Sequence, residues 1–115
     1  MRSSPDPRLV AVVCLALAGC GADTDPDCQH SFLRYDNFGA PFMANWCRSC
    51  HSATLPADMR QRAPLDVNFD NLADVRHQWI AIERTTTEIA SMPPAGGPSL
   101  TERDMLSEWL RCGAP

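Results

Sequence analysis

The sequence predicts a small helical domain. Three segments carry apolar side chains at the three-to-four-residue spacing of a single helix face, and proline-containing loops separate them. The first of these segments ends in Cys47-Arg48-Ser49-Cys50-His51, a run whose own spacing is that of one helical turn. A chain of 115 residues allows one such domain.

The first helix is expected from about Ala40 to Cys50. Pro41 stands in its first turn, where a missing N–H costs nothing, and Phe38, Phe42 and Trp46 recur every fourth residue with Cys50 continuing the stripe. Residues 52–67 hold two prolines and no sustained period, which reads as loop. A second helix is expected from Asp70 as N-cap, with Leu72, Val75, Trp79 and Ile82 on its buried face. It should fray at Thr85-Thr86-Thr87, because three β-branched residues in a row are poor helix formers. Met92-Pro93-Pro94 then stiffens the chain and Gly96-Gly97-Pro98 turns it. The third helix opens on Thr101 as N-cap with Asp104 three residues on, buries Met105, Leu106, Trp109 and Leu110, and closes at Gly113.

Two thiols three residues apart, followed at once by an imidazole, read as a site of covalent c-type haem attachment. On one helical turn Cys47 and Cys50 face the same way, so both sulfurs reach the vinyl groups on one edge of a porphyrin. His51 then offers a neutral nitrogen to iron as proximal ligand. In so small a domain the porphyrin is part of the core, so the aromatic stripe serves packing and cofactor alike. Three other readings make different demands. A thioredoxin-like redox pair sits where a strand meets a helix N-terminus, whereas this pair ends an amphipathic segment. A zinc site needs four ligands, and a second closely spaced Cys or His pair is missing. A disulfide between Cys47 and Cys50 would close a strained, very small loop.

Arg2 and Arg8 precede or open an apolar run, Leu9 to Ala18, that is too short to span a bilayer and ends in Leu17-Ala18-Gly19-Cys20. This resembles the lipobox of bacterial lipoproteins. The likeness implies that residues 1–19 are a signal peptide and that Cys20, acylated, becomes the first residue of the mature protein. Residues 20–27 are then an acidic tether, and the domain spans residues 28–115. The alternative is an ordinary signal peptide cut near Ala18 or Gly19, leaving Cys20 a free thiol. The lipoprotein likeness implies a location in the cell envelope, on the periplasmic side, anchored to a membrane through lipid. Gly21, in place of the aspartate that often marks inner-membrane retention, favours the outer membrane. Of six cysteines, Cys14 leaves with the signal, Cys20 takes lipid, and Cys47 and Cys50 take haem. Cys28 and Cys112 remain as one pair, either a disulfide or two buried thiols. Export suits both chemistries, since c-type haem is matured outside the cytoplasm and disulfides persist there.

Without its first nineteen residues the chain carries eight Arg, no Lys and thirteen Asp or Glu, a net charge of −5. The absence of a basic stripe excludes a nucleic-acid binder. The acidic balance favours a redox protein partner with a positive docking patch.

With the haem motif on a first helix, a Met-Pro-Pro loop and a terminal helix ending in Trp109-Leu110, the chain resembles the small single-haem class I cytochromes c from roughly Phe38 to Cys112. The resemblance implies an all-α fold in which first and last helices cross beside the haem. It also implies one covalent haem c, electron transfer rather than catalysis, and Met92 as sixth ligand to iron. The residues add their own argument. A thioether is soft and binds ferrous better than ferric iron, and Pro93 and Pro94 limit the backbone that presents it. The 41 residues from His51 to Met92 are ample to wrap a helix around the ring. If Met92 is only a loop methionine, then His30, His77, another Met or no residue takes that place. His77, off its helix's apolar stripe, is expected in solvent.

The chain departs from the family where a Gly-Pro usually stands in the proximal loop. Ala63-Pro64-Leu65 occupies that region, so the Pro64 carbonyl is the expected partner of the second His51 nitrogen. The lysines that often surround the haem edge are absent, and Cys28 and Cys112 are additions. A second function class stays open. An iron site without its sixth ligand would make a haem-based ligand sensor or a peroxidase-like enzyme. A di-haem peroxidase needs a second haem motif, however, and no distal acid–base residue is identifiable.

Overall fold

The first helix begins before the position its proline suggests. The structure is a computed structural model that describes residues 25–115. The expected signal peptide with Cys14, the lipidation site Cys20 and the start of the tether therefore lie outside the described residues. A π-helical stretch, Tyr35–Gly39, runs directly into α1, Ala40–Trp46. Its first turn is secured by Asn37 Oδ1, which accepts from the Arg34 N–H at 2.7 Å. Helix α1 stops at Trp46 rather than Cys50, because the Met43 carbonyl accepts from both Cys47 N–H (3.0 Å) and Arg48 N–H (2.9 Å) and turns the chain.

Within residues 52–67, read as loop, one short 3₁₀ turn forms at Ala57–Met59. Helix α2, Leu72–His77, is capped by Asn71 and not by Asp70: Asn71 Oδ1 accepts from the Asp74 N–H at 3.0 Å. Helix α3, Trp79–Ile82, follows after Gln78, whose φ of −104° and ψ of 10° break the register. That break leaves Trp79 exposed, off the face that buries Val75 and Ile82. The expected fraying at Thr85 does not occur. The helix widens instead into a π-helical segment, Glu83–Glu88. The threonines supply the reason. Thr85 Oγ1 donates to the Ala81 carbonyl at 2.7 Å and Thr87 Oγ1 to the Glu83 carbonyl at 2.6 Å, back-bonds that distort a helix without ending it. Helix α4, Leu100–Arg111, is capped by Ser99 with Glu102, two residues before the expected Thr101. Ser99 Oγ accepts from the Glu102 N–H at 3.2 Å, and Glu102 Oε2 accepts from the Ser99 N–H at 2.8 Å. The shorter side chain of Asp104 lacks the methylene that lets Glu102 reach back.

The described residues thus form an all-α globule of four α-helices and no strands. Trp109 on α4 is fully buried and meets Tyr35 and Phe38 with ring centroids 6.4 Å and 6.1 Å away. Its indole lies directly on Gly39, where any Cβ would overlap the ring, so the start of the first helix approaches the last as closely as backbone allows. Phe38, Phe42, Leu106 and Leu110 complete that contact as the apolar stripes predict, with Met43 buried among them. Cys28 and Cys112 form a disulfide, their Cα atoms 5.4 Å apart across a sequence separation of 84. Beside it the Tyr35 N–H donates to the Pro115 carbonyl at 2.6 Å, and Arg111 pairs with Asp25 at 3.0 Å.

Candidate cofactor-binding site

Cys47, Cys50, His51, Pro64 and Met92 all line one cavity of about 490 Å³, walled mainly by Trp46, Val67, Phe69, Ala81 and Ile82. That volume lies within the roughly 300–1,000 Å³ of cofactor and ligand pockets. The cavity opens between the turn after α1, the loop 60–69, the face of α3 and its π-helical extension, and the Met92 loop. Among the described residues His51 is its sole imidazole, and no carboxylate lines it.

The cysteines are brought together by a turn, not by the continuous helix the spacing suggests. The Cys47 carbonyl accepts from Cys50 N–H at 3.2 Å and from His51 N–H at 2.9 Å, which folds the motif around a single acceptor. Asp70, freed from capping α2, holds the motif from outside. Its carboxylate accepts from Ser52 Oγ (2.6 Å), Ala53 N–H (2.7 Å) and Arg48 Nε (3.2 Å). The Ser52 hydroxyl, more than the other donors, holds the Asp70 carboxyl below its ordinary value, because it bonds to the charged form.

Cys47 and Cys50 carry free thiols, and burial pushes Cys47 up to about 12. A zinc ligand or a thioredoxin-type nucleophile must be a thiolate, which this apolar setting disfavours. Among the described residues no group of three or more His, Cys, Asp or Glu gathers to hold a metal ion by itself. A neutral thiol in an apolar wall fits a thioether bond to the edge of an apolar macrocycle.

His51 is oriented by its ring. Nδ1 lies 3.1 Å from the Val67 carbonyl, an acceptor only, so Nδ1 keeps the proton and Nε2 keeps a lone pair for a metal. The Phe69 ring packs 5.1 Å away, and the Phe69 N–H donates to the His51 carbonyl at 3.0 Å. Val67, not Pro64, is therefore the partner of the second ring nitrogen. The Pro64 carbonyl is taken at 2.6 Å by Arg60 Nη2. Arg60 is 1 % exposed and fans its donors to the carbonyls of Ser52, Pro64 and Val67 (the last at 3.0 Å) and to Asn68 Oδ1 at 2.8 Å. It gathers the loop around itself. The neighbouring Gln61 and Arg62 consequently sit in the left-handed region, φ 51° and 70°, a conformation non-glycine residues keep only when their surroundings impose it. Both line the cavity and bring amide and guanidinium donors to its wall. Nothing in the string Arg60-Gln61-Arg62 distinguishes the buried cation from its exposed neighbours.

Met92 is held through its backbone. Its N–H and that of Ser91 donate to the Thr85 carbonyl at 3.0 Å and 2.8 Å. Arg103 of α4, also buried, donates to the carbonyls of Thr86 and Met92 (3.1 Å for the latter) and, through Nε, to Pro98 at 3.1 Å. The side chain remains 37 % exposed at the cavity wall. Trp46 closes the adjoining wall, lying on Gly97 (φ 139°) and donating to Glu102 at 3.3 Å. His30 and His77, the other imidazoles, are exposed and outside the cavity, and His30 is bonded to Asp27 at 2.6 Å.

Comparison with protein-family models, with curated proteins and with solved structures gives no match for this chain.

Proposed function

We propose that this protein is a membrane-tethered electron carrier, a single-haem c-type cytochrome of cytochrome c-like fold. One observation carries the reading: Met92, 41 residues beyond His51, lines the same cavity as Cys47, Cys50 and His51. A bound haem c would supply reversible one-electron chemistry at its iron. Cys47 and Cys50 would hold it through two thioethers, and His51 and Met92 would be the ligands to its iron, the soft thioether favouring the reduced state. The Val67 carbonyl fixes the His51 tautomer, the apolar walls exclude water, and Gln61 and Arg62 present donors suited to carboxylates. The reading attaches the protein to a membrane through lipid on Cys20. No helix among the described residues is long and apolar enough to cross one. The redox partners it implies carry a positive docking patch, since the chain beyond its first nineteen residues has a net charge of −5.

The way Met92 is held, through backbone hydrogen bonds that leave its side chain free to turn, favours the second reading, a ligand sensor or peroxidase-like enzyme in which the thioether leaves the iron open. The peroxidase form is the weaker of the two, because among the described residues no carboxylate or second imidazole lines the cavity.

Protein purified from cells that mature c-type cytochromes should exceed the polypeptide mass by one haem, and acid–acetone should not extract it. Met92→Ala should remove the weak far-red charge-transfer band of Met-ligated ferric iron. Colourless, folded protein would sink the proposal, and an unchanged band in Met92→Ala would move the sixth ligand elsewhere. Cys20→Ser should release the domain from the membrane fraction with its spectrum intact, since acylation is what anchors it.

A further inference from the structure

Two donors of unlike charge meet on one oxygen. The Val67 carbonyl accepts from His51 Nδ1 at 3.1 Å and from Arg60 Nη2 at 3.0 Å. A carbonyl has two lone pairs and can serve both, but a cationic donor makes the stronger bond and draws more of the oxygen's electron density. The hydrogen bond left to His51 is correspondingly weaker. Where a carboxylate holds a metal-ligating histidine, it pulls on the ring proton and makes the ring a stronger donor to the metal. Arg60 works in the opposite sense. Its acceptors are backbone carbonyls and the Asn68 amide oxygen, with no carboxylate among them, and the guanidinium is buried where solvent screens it little.

We infer that Arg60 is a positioning residue for His51, weakening the ring as a donor through the shared Val67 carbonyl and so raising the reduction potential of the site. The inference rests on the haem reading above. A weaker imidazole donor and an uncompensated buried cation both disfavour the oxidised, more positive metal, so the two effects add.

Two variants of the haem-loaded protein test it. Arg60→Lys keeps the charge, but its single nitrogen cannot span the carbonyls that Arg60 gathers, and it releases Val67. The His51 Nδ1 proton of the reduced protein should move downfield in the NMR spectrum as its hydrogen bond strengthens. The potential should fall by an amount equal to at least a tenfold change in the oxidised-to-reduced ratio, about 59 mV for one electron. Asn68→Asp places a carboxylate against Arg60 Nη1, offsets its charge within the native loop, and should move both readouts the same way. Should Arg60→Lys fail to fold, Asn68→Asp decides alone. A folded variant with a lower melting temperature but an unmoved His51 proton and potential would make Arg60 merely structural and overturn the inference. Failure of the haem reading is distinct, because the protein would then be colourless before any potential is measured.

Discussion

On the His51 side of the cavity the structure grips the functional side chain itself. The ring is bonded at Nδ1, packed by Phe69, and carried on a turn that Asp70 ties at both ends. On the Met92 side it grips only the backbone, through the Thr85 carbonyl and Arg103, and leaves the thioether more than a third exposed. The same device, a buried arginine without a carboxylate partner, organises both loops. Arg60 ends on the carbonyl that orients an imidazole, whereas Arg103 ends on the carbonyl of the methionine. The His51 ring is fixed by its neighbours, whereas the Met92 side chain keeps its rotamer freedom on a fixed backbone. With the proposed haem bound, the first side would give the permanent bond to iron and the second the exchangeable one.

The largest effect expected touches neither side. Reducing Cys28–Cys112 frees a loop of 84 residues in sequence separation, for which chain entropy gives on the order of 4–5 kcal/mol as an upper figure. The melting temperature should fall while the haem bands stay in place. If the bands shift on reduction, the two sides are not as independent of that end of the fold as their contacts indicate. Arg103→Leu comes next. It strands the buried carbonyls of Thr86 and Pro98 and the part-buried one of Met92, at about 1–3 kcal/mol for each buried group left unpaired, so a loss of at least about 2 kcal/mol is expected. Amide exchange should quicken around Met92 and stay slow around His51 and Phe69, and equal loosening of both loops would contradict the comparison.

Asp70→Asn should cost about 2 kcal/mol, the size of a hydrogen bond to a charged acceptor, and should loosen the His51 side alone. The same residue makes that side acid-sensitive. Its carboxyl is held below the ordinary value in the folded state, so its stabilisation is present above about pH 4 and is lost as pH falls through the lowered value. Melts recorded from pH 6 down to 3 should drop more steeply for the native protein than for Asp70→Asn, and parallel curves would remove Asp70 from the account.

Sequence reasoning reached the three helical segments and the buried stripes, because period and burial are properties of neighbours along the chain. Phe38, Phe42, Val75, Ile82, Leu106 and Trp109 are inside as their spacing predicts. It missed what depends on partners far away. Asp70 and Asn71 are equally good caps on paper, and Asp70 is drawn off by Ser52 and Arg48, about twenty residues earlier. The threonine run was read by propensity alone, whereas hydroxyl bonds to the preceding turn carry it into a wider helix. Val67, not Pro64, stands beside His51 in a loop that Arg60 gathers through the carbonyls of both, and a charged residue in a polar loop gives no local hint that it is buried.

The bond between Cys28 and Cys112 also has a mechanical meaning. Tension entering from the N-terminal side reaches Cys28 and passes straight across to Cys112, so the backbone between them forms a closed ring that carries no load. At roughly 3.3–3.6 Å per extended residue, about 280–300 Å of chain is withheld from stretching. A load applied between the two ends of the chain would lengthen it only outside that ring, and the cavity, with Arg60 and Arg103 beside it, lies inside.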